Sequence, residues 1–194
     1  MAIRVYIDQG HNPSSPNTGA EGNGLREQDI TYEVGQRLYL RLSADPNYVA
    51  RLSRPTPTTQ LGTSNAGSLR ARVAGAEAFG ADLFLSIHTN AAADPSANGT
   101  EALVYAVNSP AGRLAEDIVG QVSTVTGLRN RGVIARPGLY VLRRTSMPAV
   151  LVELGFITNP TEAAMMNDRP ELFAKGIYDG IVAHLSGASS DKSE

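Results

Sequence analysis

The sequence has no cysteine and no tryptophan, and only three histidines among 194 residues. Without cysteine there is no disulfide scaffold, no thiolate metal site and no nucleophilic thiol. Any transition-metal site is therefore restricted to His11, His88, His184 and carboxylates. Charge of one sign is not in excess either: 17 Lys and Arg face 19 Asp and Glu, a formal net of -2, with a pI near 5.9. That balance provides no basic field to follow a phosphate backbone, so no nucleic-acid partner is expected. Long apolar runs are missing too. Stretches such as Ala81 to Ile87 and Ala149 to Val152 fall far short of the ~20 residues a bilayer span needs, so no membrane span is expected. The N-terminal segment meets Asp8 before an apolar region of about 7–15 residues can form, and it reads as a first strand rather than a secretory signal.

What is there suits one domain, long enough to bury roughly 70% of its unfolded surface without staples. Ile3 to Ile7 is rich in β-branched and aromatic residues and stops at Gln9-Gly10, the pattern of a strand meeting its punctuation. Asn12 to Gly24 is a loop of Asn, Pro, Ser, Gly and Thr, long enough to carry function. Ile30, Val34, Leu38 and Leu42 then repeat at helical spacing until Asp45-Pro46. Tyr48 to Arg54 predicts a strand, and Ser68 an N-cap for a helix ending at Gly80. Asp82 to His88 and Gly99 to Val107 predict strands, and Pro110 to Gly127 a helix. Leu139 to Leu142 and Ala149 to Val152 predict two more strands. Asn159-Pro160-Thr161-Glu162 reads as a capping-box helix start, and a last helix runs from about Pro170 to Leu185. Strands alternating with helices predict an α/β fold: a single domain with a twisted, mostly parallel sheet of about six strands and helices on both faces. Residues 1–186 are expected to form this domain, and residues 187–194 a polar C-terminal tail or linker.

In such sheets ligands gather at the carboxyl ends of the strands. The first strand delivers His11 there, the Leu83 to Ile87 strand delivers His88, and the Ala149 to Val152 strand delivers Glu153. Catalytic zinc takes three protein ligands and leaves one position for water, so two histidines call for one carboxylate. Asp8, Glu21, Glu27 and Glu153 are the candidates. Asp8 also suits a supporting hydrogen bond behind a ligand, and Glu27 also suits a helix N-terminus. Hydrolysis further needs a proton acceptor near the metal. One carboxylate as ligand and one as base fits Glu27 and Glu153 respectively. His184 falls near the end of the last helix, where a cation complements the dipole.

At this point a family comes into view. The segments Ile7-Asp8-Gln9-Gly10-His11, Gly24-Leu25-Arg26-Glu27, Ser86-Ile87-His88-Thr89-Asn90-Ala91, Asn130-Arg131-Gly132-Val133 and Pro148 to Asn159 occur in an order that resembles the zinc-dependent N-acetylmuramoyl-L-alanine amidases of bacterial autolysins and phage endolysins. The resemblance spans Ile3 to about Leu185. It implies one Zn2+ per chain held by His11, Glu27 and His88, with Glu153 as the catalytic glutamate and Asn90 and Arg131 as substrate contacts. Gln9 stands where proline is common in the family, and Arg143-Arg144-Thr145 where an asparagine is often seen; both departures bear on substrate detail. The implied partner is peptidoglycan, cut between N-acetylmuramic acid and the L-alanine of its stem peptide. Action at the bacterial cell wall then implies either cytoplasmic synthesis with release by lysis or a trimmed secreted form, and the polar tail leaves room for a wall-binding domain beyond it. The rival readings are another zinc peptidoglycan peptidase and a wall-binding module without turnover.

Overall fold

A computed structural model describes residues 2–190. Its main sheet has six strands in the order β4-β1-β5-β8-β6-β7: β1 (Ile3–Gln9), β4 (Tyr48–Leu52), β5 (Leu83–Asn90), β6 (Thr100–Val104), β7 (Asn130–Ala135) and β8 (Ala149–Phe156). β4, β1, β5 and β8 run parallel, β6 runs antiparallel to β8, and β7 is parallel to β6. The apolar runs of β5 and β8 occupy the middle, as strands covered on both faces should. A separate two-residue hairpin, β2 (Glu21–Gly22) with β3 (Leu25–Arg26), forms inside the Gly-rich loop region.

One face of the sheet is covered thickly. Helix α1 (Glu27–Ser43) buries Ile30, Val34, Leu38 and Leu42, the four residues that its spacing set on one side. Helix α3 (Pro110–Thr126) buries Leu114, Ile118 and Val122, with Pro110 in its first turn and Gly127 at its C-cap. Helix α6 (Pro170–Ser190) lies against α1 and α3, and its Phe173, Ile177 and Ile181 complete the larger core with Ile7, Leu85 and Val152.

Among the described residues the opposite face carries only α2 (Asn65–Phe79) and the single turn α4 (Tyr140–Arg144). Beneath them Tyr6, Phe84, Leu103 and Leu151 form a second, smaller core. Side chains alternate along a strand, so the rows that hold these residues continue with Asp8, Ser86 and His88, Glu101, and Glu153. In register Asp8 pairs with Ser86, His88 with Glu153, and Glu153 with Glu101. The apolar floor thus gives way to a polar row where the short covering helices stop.

The structure corrects several local expectations. Leu139 to Leu142 is not a strand: it leads into α4, whose Val141 and Leu142 are buried against the second core. A four-residue apolar run has no periodicity to separate helix from strand. The sixth strand is instead β7, an edge strand that carries only Val133 and Ile134 as large apolar residues and is half-buried along its middle. Ser64, not Ser68, caps α2 by accepting from Gly67 N; Ser68 is buried within the helix. β5 and β8 run past His88 and Glu153, which therefore lie inside strands rather than after them. Helix α5 (Pro160–Asp168) starts as expected, with Asn159 accepting from Thr161 N and Glu162 N. Glu162 does not close the box, however, because its buried carboxylate accepts from Gly99 N and Phe156 N and ties the end of β8 to the start of β6. Helix α6 continues past Leu185 to Ser190, and residues 191–194 lie outside the described residues. No described helix is long and apolar enough to cross a membrane.

Candidate metal centre and active site

Three chain segments converge at the carboxyl end of β1 and β5. His11 follows β1 in the left-handed region, with φ 65°. His88 projects from β5, and Glu27 opens α1, entering from the thickly covered face. His11 Nε2 lies 3.2 Å from Glu27 Oε2, and His88 Nδ1 lies 3.0 Å from Glu27 Oε1. One ligand atom from each of the three residues falls within 4.8 Å of the others. The two imidazoles meet edge to face, 4.8 Å between ring centroids.

The convergence depends on two glycines. A Cβ on Gly10 would stand 2.6 Å from the His88 ring, and one on Gly19 would stand 2.6 Å from Glu27 Cβ. Any side chain at either position would push a ligand-bearing segment aside.

The Glu27 carboxylate is fixed by the backbone as well. Thr89 N donates to Oε1 and Ala20 N to Oε2, each at 2.9 Å. Burial pushes its pKa up, but the hydrogen bonds and charges of His11 and His88 outweigh that and hold it well below the usual carboxylate range. The carboxylate is thereby kept anionic at neutral pH. A tetrahedral zinc ion with bonds of roughly 2.0–2.2 Å sets its ligand atoms about 3.3–3.6 Å apart; each histidine nitrogen lies near that distance from one oxygen of Glu27, and the full set of three spreads to 4.8 Å. Two imidazoles and one anionic carboxylate are the donor set of a catalytic zinc site. His11 Nδ1 is buried with no hydrogen-bond partner among the described residues. The residues present fit the ion.

Glu153 is held differently. Its Oε2 is buried and has no hydrogen-bond partner among the described residues. Burial first, then the negative charges of Glu27 and Glu101, push its pKa from 4.5 up to about 8. The two carboxylates of the site therefore separate, one kept anionic and one made basic.

This separation has a consequence for the metal-free chain. An acid whose folded pKa lies above its unfolded value keeps full stability below the unfolded pKa and loses it as pH rises through the folded one. For Glu153 the loss falls between about pH 4.5 and 8. In chelator-treated protein, Glu153→Gln is expected to raise Tm more at pH 9 than at pH 5. Thermal unfolding at both values checks it, and parallel pH dependences for parent and variant would contradict it.

Among the other carboxylates weighed from sequence, Asp8 is buried in an ion pair with Arg72 at 2.6 Å and accepts from Ser86 Oγ at 2.8 Å. Burial raises its pKa, but Arg72 and Ser86 outweigh that and hold it low. It touches neither histidine through a hydrogen bond. Glu21 is exposed in the hairpin. His184 pairs with Asp117 of α3 at 2.9 Å, in the interior of α6 and not in its last turn.

Asn90 and Arg131 meet on a residue that sequence reasoning passed over. Glu101 accepts from Asn90 Nδ2 at 3.0 Å and from Arg131 Nε at 2.7 Å. Arg131 also lies over the Phe156 ring and donates to Asn98 O. A lone acid in the otherwise uncharged β6 was the only available signal for Glu101. Arg54 and Arg72, also unforeseen, are buried beneath His11 and donate to its carbonyl oxygen.

The family described as N-acetylmuramoyl-L-alanine amidase matches residues 5–183. The chain is 37% identical over 186 residues to the N-acetylmuramoyl-L-alanine amidase LytC of Bacillus subtilis, covering 93% of this chain but only 35% of LytC. It is 32% identical to the endolysin of Bacillus phage SPP1, covering 100% of this chain and 72% of that protein. The catalytic domain of CwlV, an N-acetylmuramoyl-L-alanine amidase from Bacillus (Paenibacillus) polymyxa var. colistinus, superposes with a TM-score of 0.83 at 31% identity, covering 95% of this chain and 98% of that one. With the family match running from β1 into α6 and the likeness to CwlV covering 95% of the chain, the chain belongs to the N-acetylmuramoyl-L-alanine amidase family.

Proposed function

We propose that the protein hydrolyses the amide between the lactyl group of N-acetylmuramic acid and the L-alanine of the peptidoglycan stem, acting at the bacterial cell wall. One zinc ion per chain is assigned to His11, Glu27 and His88, and general base catalysis to Glu153. Bound zinc supplies Lewis acidity, polarising a carbonyl and bringing the pKa of water to about 7. The chain's own residues do the rest. Thr89 N and Ala20 N orient the Glu27 carboxylate. Glu153 takes the proton of the attacking water on its carboxylate and returns it to the nitrogen of the departing L-alanine. Asn90 and the exposed side of Arg131, joined through Glu101, are assigned to the substrate.

The observation that carries this reading is the bare, buried Oε2 of Glu153 on a residue in register with His88. A carboxylate with no structural partner costs stability, and hydrolysis gives it a use that a wall-binding module lacks. The test is digestion of purified peptidoglycan with zinc-loaded protein, followed by mass spectrometry. New L-alanine amino termini and free lactyl carboxylates on muramic acid are expected. Cleavage further along the stem, or binding with no fall in turbidity, would overturn the proposal.

A further inference from the structure

We propose that Arg54 is a positioning residue that fixes the spacing between the His11 and Glu27 segments and thereby sets metal affinity. This inference rests on the assignment of His11, Glu27 and His88 to a metal. The argument begins at His11, whose left-handed backbone (φ 65°) costs a non-glycine residue energy and persists only where the surroundings fix it. Arg54 Nη1 donates to His11 O at 2.9 Å, while Arg54 Nη2 donates to Gln28 O at 3.0 Å. Gln28 directly follows Glu27, so one planar guanidinium spans the backbones of two of the three ligand segments. The base of Arg54 is held too: its N donates to Gln9 Oε1 at 2.9 Å, and the guanidinium lies over the Tyr32 ring of α1 at 5.3 Å.

Arg72 sits beside it with a different duty. It donates to Asp8 Oδ1, Gln9 O and His11 O, each at 2.6 Å. Its loss would strand the buried Asp8 carboxylate without its partner, so an Arg72 variant reports on folding before it reports on metal. Arg54 has no carboxylate partner in hydrogen-bond or ion-pair distance among the described residues. Its two side-chain bonds go to carbonyl oxygens alone. Removing them loosens the spacing without leaving a buried anion unpaired. Lysine keeps the charge, but a single ammonium lacks the rigid fork that reaches two carbonyls at a fixed separation.

The test compares zinc affinity, by competition with a chromogenic chelator, in the parent chain, Arg54→Lys and Arg51→Lys. Arg51 is a nearby arginine that lies over Phe79 and touches no ligand segment. Supporting residues behind metal ligands typically change affinity by about 10- to 100-fold. A loss of that size is expected for R54K, with R51K at the parent value and the Tm of metal-free R54K within a few degrees of the parent. If R54K does not fold, Arg54→Gln, which reaches one carbonyl through its amide, is read against the same scale. Zinc affinity of R54K or R54Q within about threefold of the parent overturns the inference while leaving the metal assignment standing. Equal losses in R54K and R51K overturn it too, because they mark a general effect of lost packing. No zinc uptake by the parent chain overturns the metal assignment itself.

Discussion

Glu153→Gln is expected to lower amide hydrolysis by about 10²- to 10⁴-fold while the chain takes up as much zinc as the parent. The amide has the shape of the carboxylate but cannot accept a proton from water. Several features separate this loss from damage to the fold. Oε2 accepts no hydrogen bond among the described residues, so the exchange deprives no donor of its partner. The repulsion that Glu27 and Glu101 exert on a Glu153 anion disappears, so the metal-free variant should be at least as stable as the parent at neutral pH. Glu153 also falls outside the group of His11, Glu27 and His88 whose ligand atoms cluster. The experiment pairs kcat on peptidoglycan with zinc per chain by atomic absorption. Retained activity would remove Glu153 from catalysis, and loss of zinc would make it a ligand and reopen the role of Glu27.

The residues of this site differ in how openly the sequence displays them, and the reason is physical. His11, His88 and Glu153 stand beside apolar runs in a chain poor in histidine, and local periodicity is enough to place them at one edge of a parallel sheet. Glu27 is legible as the acid where helical spacing begins. Arg54, Arg72 and Glu101 are not legible in this way. Arg54 finds its acceptors 43 and 26 residues away, and Glu101 receives Arg131 across 30 residues. Nothing local marks an arginine as buried when its partners are carbonyl oxygens brought in by other segments. The same limit explains the strand count. The sequence predicts six strands and six form the sheet, but Leu139 to Leu142, which reads as a strand, leads into a helix, and β7 gives no such signal. A β7 that is half-buried at an edge needs little apolar sequence, and an apolar run pressed against the face of a sheet can be helical.

Glu27→Gln should have the opposite profile to Glu153→Gln: zinc uptake falls by more than the roughly 100-fold typical of supporting residues, and hydrolysis falls below detection. Both oxygens of Glu27 are already committed. Oε1 accepts from Thr89 N and faces His88 Nδ1, while Oε2 accepts from Ala20 N and faces His11 Nε2. Glutamine keeps one oxygen and turns its amino group toward the other backbone N–H, setting donor against donor. An unsatisfied buried donor costs about 1–3 kcal/mol, so this variant should also melt lower than the parent at pH 7 without metal. The difference carries a sign with pH. Because the histidines hold the folded pKa of Glu27 below its unfolded value, its contribution is present above the unfolded pKa and is lost as pH falls through the folded one. The parent should therefore melt above Glu27→Gln at neutral pH and lose that advantage as pH falls below the unfolded carboxylate value, whereas Glu153→Gln should gain over the parent as pH rises between about 4.5 and 8, so the signed Tm difference moves in opposite directions with pH. If Glu27→Gln kept zinc and Glu153→Gln lost it, the two carboxylates would have to exchange roles. Opposed pH trends in metal-free protein, together with opposed zinc contents, separate ligand from base without recourse to activity.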